Sequence, residues 1–398
     1  MRTFLIVCSG LHNLAGHEYQ YTKAVLERLD RSEFAVRAWG RNDASSSVRA
    51  EPWFRPVFSR IPYDRMADPF VRRMRSLIQR ETTWYKELKG SLEGELSHEG
   101  DIVFVHTFSM YSIWQWWRLQ DMFEHRKVHL FLLFRYSPRT LPGYLKPLYC
   151  DFYRRLGVGY NYIHLLTDSE ELREEYRQIS PQPMHVLPIP IDAIWSSVGN
   201  TDAYANGNVV VGFPGSARVN KGFDLLPGAI ERVNQSRFRD HLVFRIQCTP
   251  SGTDCLEAKC ATAIQKLKSL QVQWKNIEFL EDHPSPEEYS ELIRSLDIVL
   301  LPYIKGEYTT QTSGILAEAL ACGKQCVVPR DTWLARQVDE AAWGETFEAG
   351  NIEELASKTM KCIERCKRGE RMAPDKLCAW RAHHNPASLV AVLRELAK

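Results

Sequence analysis

Leu296-Asp297-Ile298-Val299-Leu300-Leu301-Pro302-Tyr303 is followed, after a short spacer, by Thr309-Thr310-Gln311-Thr312-Ser313-Gly314-Ile315-Leu316-Ala317-Glu318-Ala319-Leu320-Ala321-Cys322-Gly323. The pattern is a strand, a polar loop and a helix. The apolar run Ile298 to Leu301 suits an inner parallel strand, Pro302 ends it, and a helix from about Ser313 turns several unpaired backbone N–H groups toward the carboxyl end of the sheet. A helix start of that kind is an anion site. Glu318, one turn in, is poorly placed to meet a phosphate and well placed to accept hydrogen bonds from sugar or ribose hydroxyls. The stretch reads as a site for a nucleotide sugar.

These residues resemble the donor-site signature of the retaining glycosyltransferases of family 4, two-domain enzymes of the GT-B fold. That signature runs Glu, seven residues, Glu, then Ala-Met/Leu-Ala-x-Gly. Glu318-Ala-Leu-Ala-Cys-Gly323 matches its second half, whereas Thr310 stands where the first glutamate would fall. Thr312-Ser313-Gly314 replaces the Gly-Phe-Gly form and keeps its backbone donors. The resemblance implies a diphosphate held by the amides of Thr312, Ser313 and Gly314, with Glu318 on the ribose.

A second loaded stretch is Gly212-Phe213-Pro214-Gly215-Ser216-Ala217-Arg218-Val219-Asn220-Lys221-Gly222. It follows a strand-like run, Val209 to Phe213, and brings two cations to one loop. A guanidinium beside an ammonium tolerates close approach best when a polyanion lies between them. By resemblance, Arg218 and Lys221 hold the donor diphosphate and neutralise the leaving group, with Gly215 in the same loop. The competing reading is a solvated loop with two ordinary surface cations. The chain contains no Asp-x-Asp, the pair with which many glycosyltransferases hold a metal. Helix dipoles, Arg and Lys neutralise phosphate without one, so no metal and no other cofactor is expected.

The N-terminal half carries the acceptor-side candidates. Gly16 precedes a helix and resembles the glycine of the family's Gly-Gly-x-Glu loop, which touches donor phosphate or sugar. His17 and Glu18 follow it as acceptor contacts, although a glutamate at a helix start is equally well explained by the macrodipole. His106 ends the run Asp101-Ile-Val-Phe-Val-His106 and resembles the family's strand-end histidine, a catalytic-site position. A second histidine usually ends the next strand. Arg135 occupies that place, in Leu132-Leu-Phe-Arg135-Tyr136.

Length and composition fit two α/β domains. At 398 residues the chain has room for two cores, and 44% hydrophobic with 25% charged residues is a globular balance. A net charge of +2 gives no global field for nucleic acid, which is not expected as a partner. The alternating pattern predicts strands at Phe4 to Cys8, Phe34 to Trp39, Ile102 to His106, Val128 to Phe134, Ile163 to Thr167 and Val186 to Ile191. A second series follows at Val209 to Phe213, Leu242 to Cys248, Ile277 to Leu280 and Ile298 to Leu301. Helices are predicted from Glu18, Glu170, Gly222, Asp254 and Pro286. Two Rossmann-like doubly wound domains facing a central cleft are expected from this pattern, and the resemblance implies that the architecture is GT-B. The N-terminal acceptor-side domain spans 1–195, a linker 196–208 and the donor domain 209–376, and a helical stretch 377–398 is expected, by resemblance, to pack back on the N-terminal domain.

No apolar stretch approaches the roughly 20 residues of a membrane span. Met1 to Cys8 is too short for the apolar region of a signal peptide and runs into a glycine loop, so a cytoplasmic protein is expected. The basic, aromatic segments Pro69 to Lys89, Trp114 to Arg118 and Tyr144 to Arg155 suggest peripheral contact with anionic membrane and a lipid-linked acceptor. Ordinary packing of one helix face on the sheet explains them as well. The ten cysteines show no zinc spacing, and Cys362 and Cys366 sharing a helix face, with His383-His384 farther on, reads as chance placement in a packed protein rather than a metal site. The resulting expectation is sugar transfer from a nucleoside diphosphate sugar to a saccharide or lipid-linked saccharide. The alternatives are a nucleotide-sugar epimerase or hydrolase on the same fold, or a non-catalytic binding subunit.

Overall fold

The computed structural model describes residues 1–14, 17–59, 70–191, 207–249, 258–282 and 284–398, with backbone alone at 17, 70–78 and 80. The chain divides into two compact units, Met1–Pro190 with Pro386–Lys398, and Ile191–Asn385. Most of the expected linker, 196–208, and the expected helix start at Asp254 lie outside the described residues.

The N-terminal unit is built on a seven-stranded parallel sheet of β1 (Arg2–Val7), β2 (Phe34–Arg41), β3 (Phe54–Phe58), β4 (Ile102–Val105), β5 (His129–Phe134), β6 (Ile163–Thr167) and β7 (Met184–Val186), ordered β3-β2-β1-β4-β5-β6-β7. Every residue of β4 and β5 is buried, because helices cover both faces of the sheet. Period-two alternation divides the side chains between two cores. Leu5, Val7, Val103, Val105, Leu130 and Leu132 enter one, and Phe4, Ile6, Phe104, Phe131 and Leu133 the other. The helix Phe70–Glu95 contributes Trp84, Leu88 and Leu92 to the first core, so the apolar side of this segment packs on the sheet from residue 84 onward.

Two strands of this unit differ from expectation, and in the other unit the strands Gln325–Pro329 and Gly344–Phe347 were not expected. The sequence reading missed β3, an edge strand that carries Pro56, a residue tolerated only where no inner ladder bond is required of its nitrogen. β7 lies ahead of the expected Val186 to Ile191, since Pro188 and Pro190 cannot donate to a ladder.

The C-terminal unit has a six-stranded sheet of β8 (Val209–Phe213), β9 (Leu242–Gln247), β10 (Ile277–Leu280), β11 (Ile298–Leu300), β12 (Gln325–Pro329) and β13 (Gly344–Phe347), ordered β10-β9-β8-β11-β12-β13 and all parallel. Cys362 and Cys366, on the helix Ile352–Lys367, sit in this unit's core, where Gln325 Nε2 donates to the Cys362 carbonyl at 3.1 Å. The stretch expected to return from residue 377 has its final helix opened at Pro386, as its sequence indicates, but is divided between the units. Pro374–His383 stays with the C-terminal unit, with Trp380 Nε1 donating to the Ala317 carbonyl at 3.1 Å and Arg381 Nε to Ala321 at 2.7 Å. Only Pro386–Leu396 joins the N-terminal core, through Leu389, Val390 and Leu393. The His384–Asn385–Pro386 junction forces the break, because the residue before a proline is disfavoured in helix.

Three histidines lie on neighbouring strands β5, β6 and β7: His129, His164 and His185. His129 Nδ1 is 3.0 Å from His164 Nε2. Burial, then the proximity of His129 and His185, lowers the His164 imidazole from its ordinary 6.5 to about 4. Arg2 and Arg173 add positive charge near His129 and His185. The folded state thus binds fewer protons than the unfolded one between those values, and stability is lost as pH falls through that window. Urea unfolding at pH 7 and pH 4.5 is expected to differ by about 2 kcal/mol more in the parent than in His164→Gln. Equal pH dependence in the two proteins would remove His164 as the cause.

Candidate functional site

In each sheet the chain reverses its direction of growth once, between β1 and β4 in the first and between β8 and β11 in the second. Loops leaving the carboxyl ends of two such strands diverge and leave a crevice, where α/β sheets bind ligands.

In the C-terminal unit the loops after β8 and β11 are locked backbone to backbone. The helix expected from Gly222 is preceded by two tight turns, Val219–Lys221 and Phe223–Leu225, and begins at Leu226. Gly222 between the turns has φ +68°, and a Cβ there would lie 1.8 Å from the Pro302 carbonyl oxygen. Ile304 N donates to the Asn220 carbonyl at 3.0 Å, and Asn220 Nδ2 to Glu307 at 3.0 Å. The β8 loop is thereby pinned against the segment that leads into the helix Gly314–Ala321. Ser313 caps that helix, accepting from Leu316 N at 3.3 Å. Gly314 is exposed, with nothing within 4 Å of where its Cβ would stand.

Arg218, Lys221, Gly215 and Glu318 meet here. A Cβ on Gly215 would lie 3.4 Å from Lys221 Nζ and 3.5 Å from Ile315 in the first helical turn, so loop, ammonium and helix start are neighbours. Lys221 Nζ lies over the Tyr303 ring, 5.9 Å from its centroid. Burial, and then the charge of Arg218, lowers the Lys221 amine to about 8, with Glu318 opposing. Arg218 Nε is buried without a hydrogen-bond partner. Among the described residues neither cation forms an ion pair, although ion pairs abound elsewhere in the unit, as at Lys358 and Lys361 with Glu345. Burial raises the Glu318 carboxyl to about 7, against the pull of the Tyr289 hydrogen bond and the Lys221 charge. Tyr289 OH donates to Glu318 Oε2 at 2.8 Å. The arrangement combines two cations without ion pairs among the described residues and a capped helix start with a carboxylate, so it can take a polyanion and hydroxyls together.

The N-terminal candidates are placed differently. Gly16 lies outside the described residues, and His17 is the first residue of the helix His17–Leu26. The Glu18 carboxylate faces Gly10, whose Cβ would stand 3.2 Å from Oε1. His106 is fully buried at the end of β4, within 3.0 Å of both Thr22 Oγ1 and Thr107 Oγ1, and stacks on Tyr21 with centroids 4.5 Å apart. That placement engages both ring nitrogens inside the unit. Arg135 follows β5 and donates from Nε to Asp168 Oδ2 at 3.0 Å, over the Tyr21 ring. The next residue, Ser169, caps the helix Glu170–Arg177, accepting from Leu172 N at 3.2 Å. Asp168, Tyr289 and Tyr303 were missed. Their partners lie on other elements, and no local pattern marks them.

Residues 208–365 match the family model described as glycosyl transferases group 1, a segment that spans β8 to the helix Ile352–Lys367 and includes every C-terminal candidate. No curated protein matches the chain in sequence. Solved structures resemble it along nearly its whole length. A glycosyltransferase from Rickettsia africae is 12% identical with TM-score 0.70, covering 100% of this chain and 98% of that one. HepE from Anabaena in complex with UDP is 13% identical, TM-score 0.68, covering 99% of each chain. A UDP-forming trehalose-phosphate synthase from Burkholderia xenovorans is 15% identical, TM-score 0.67, covering 99% and 98%. At such identities the likeness is one of fold, and the fold is GT-B.

Proposed function

We propose that the protein is a retaining glycosyltransferase of family 4 that moves a sugar from a nucleoside diphosphate sugar to a saccharide or lipid-linked saccharide, in the synthesis of a cell-surface polysaccharide or glycoconjugate. The observation that carries this reading is the pair Arg218 and Lys221, both largely buried and without ion-pair partners among the described residues, at the chain-reversal point of a sheet. Desolvating two like charges side by side costs stability, and folding offers no return for it. A diphosphate supplies the missing counter-charge. Thr312 to Gly314 would add backbone N–H donors and Glu318 would accept from the ribose.

On this reading the bond between the sugar C1 and the phosphate oxygen breaks, its electron pair leaving with the diphosphate. The acceptor hydroxyl oxygen bonds to C1 on the face being vacated, and its proton passes to a phosphate oxygen. The protein's part is stabilisation of the leaving group by fixed cations. With those cations in place the proposal needs no divalent metal, so turnover should survive a chelator. Proposed acceptor contacts fall to Glu18 and Arg135 in the N-terminal unit. The described residues contain no helix long and apolar enough to cross a membrane. Peripheral contact of a cytoplasmic protein with anionic lipid is part of the proposal, supported by exposed Tyr144 and Leu148 beside Lys146, Arg154 and Arg155.

One observation favours a second reading, a nucleotide-sugar-binding subunit without turnover. Thr310, where the family's first glutamate would stand, is 5% exposed and brings no carboxylate. Calorimetry with UDP, GDP, ADP and their glucose conjugates tests both readings, and the UDP in the HepE structure makes UDP the first ligand to try. Binding of one nucleotide class with micromolar Kd is expected, followed by transfer to a saccharide acceptor. Binding without transfer over a broad acceptor panel would favour the second reading. No binding by any nucleotide would sink both.

A further inference from the structure

We infer that Tyr289 is a positioning residue that holds Glu318 away from Lys221, keeping the hydroxyl-binding and anion-binding halves of the site from neutralising each other. The inference rests on the donor-site reading above. Glu318 and Lys221 are opposite charges close enough to perturb one another, yet they form no ion pair. What Glu318 has instead is the phenol of Tyr289, donating to Oε2 at 2.8 Å. A glutamate side chain has enough rotatable bonds to swing, and a bare ammonium in a largely buried site is the partner it would otherwise take.

Tyr289 is itself well anchored. It lies in the first turn of the helix Pro286–Ser295, whose start is fixed by a reciprocal cap: Ser285 N donates to Glu288 Oε2 at 2.8 Å and Glu288 N to Ser285 Oγ at 3.2 Å. That helix approaches Glu318 from a different part of the chain, so the carboxylate is held from outside its own helix. One oxygen is committed to the phenol and the other is left to accept from a ligand hydroxyl. Lys221 keeps its charge for a phosphate. Tyr289 thus acts on phosphate affinity without being assigned any contact to phosphate.

The test uses the full chain with inorganic pyrophosphate and UDP as probes, in the parent, Tyr289→Phe, Glu318→Gln and the double variant, with thermal melts to confirm folding. Tyr289→Phe is expected to weaken pyrophosphate about tenfold, as the freed carboxylate pairs with Lys221. Adding Glu318→Gln should restore pyrophosphate affinity while UDP affinity stays low, because an uncharged amide does not compete for the ammonium. A phenol that merely packs would give a loss that Glu318→Gln does not repair, and that result overturns the inference, as does pyrophosphate affinity unchanged in Tyr289→Phe. A parent protein that binds neither probe overturns the donor-site reading and this inference with it.

Discussion

Replacing Arg218 by alanine is expected to weaken nucleoside diphosphate binding roughly 100-fold while leaving the ligand-free protein as stable as the parent or more so. Most substitutions that abolish binding also damage a fold, so the opposed signs are informative. Arg218 makes no ion pair among the described residues, and its Nε is buried without a partner, so truncation removes a desolvated charge rather than a stabilising contact. It also removes the like charge that helps hold the Lys221 amine down at about 8. Lys221→Ala should behave in the same way. Calorimetry for the nucleotide and thermal melting for the apo protein check the two halves separately. Unaltered affinity in Arg218→Ala would remove the diphosphate from this loop. A large fall in melting temperature would mean that the guanidinium serves the fold.

The Lys221 amine supplies a signature of its own. Held well below its ordinary 10.5 by burial and by Arg218, it is partly neutral at pH 8 to 9 and should regain its proton when a phosphate arrives. Binding measured in buffers of different ionisation enthalpy should therefore show proton uptake near pH 8.5, and that uptake should vanish in Lys221→Ala.

The largest effect on stability is expected at Gly222. A left-handed φ of +68° costs any L side chain about 1–2 kcal/mol. The Cβ of an alanine would stand 1.8 Å from the Pro302 carbonyl oxygen and 2.6 Å from its carbon, atoms of the main chain that cannot rotate aside. Relief requires the loops after β8 and β11 to part, which breaks the Ile304–Asn220 hydrogen bond. Gly222→Ala should destabilise the C-terminal unit by about 3–5 kcal/mol in denaturant unfolding. Asparagine tolerates the φ but still carries a Cβ, so Gly222→Asn should not rescue. Gly215→Ala is the contrast, since its methyl would meet Lys221 and Ile315 at ordinary contact distances. Similar stability in Gly222→Ala and Gly215→Ala would refute the close approach.

The parts of this molecule legible from sequence are those where one segment carries its own explanation. Ile163–Thr167, Val209–Phe213, Ile277–Leu280 and the helix Pro286–Ser295 lie where short apolar runs and capping residues placed them. Pro56 hid β3, because proline reads against a strand unless the strand is known to lie at an edge, and edge position is a property of the sheet. The C-terminal cations and Glu318 stood out as candidates because an anion loop and a helix start are each local. Tyr289 could not be found, since its meaning depends on a helix approaching from another part of the chain. His106 shows the converse limit, a candidate whose surroundings its own segment does not reveal. A strand-end histidine has one appearance in sequence whether it faces a ligand or, as here, is bracketed by two threonines and a tyrosine ring.

The N-terminal core borrows Leu389, Val390 and Leu393 from a helix encoded some two hundred residues after the rest of that core. During translation, at about 5–20 residues per second, a nascent chain carrying every strand of the first sheet must wait many seconds for the piece that packs against the helix His17–Leu26. The C-terminal unit, contiguous from Ile191 to Asn385, has all its residues before that helix emerges. The half of the molecule made first is thus the half completed last, and a ribosome stalling after residue 385 would release a finished C-terminal unit joined to an N-terminal one with an open, sticky seam.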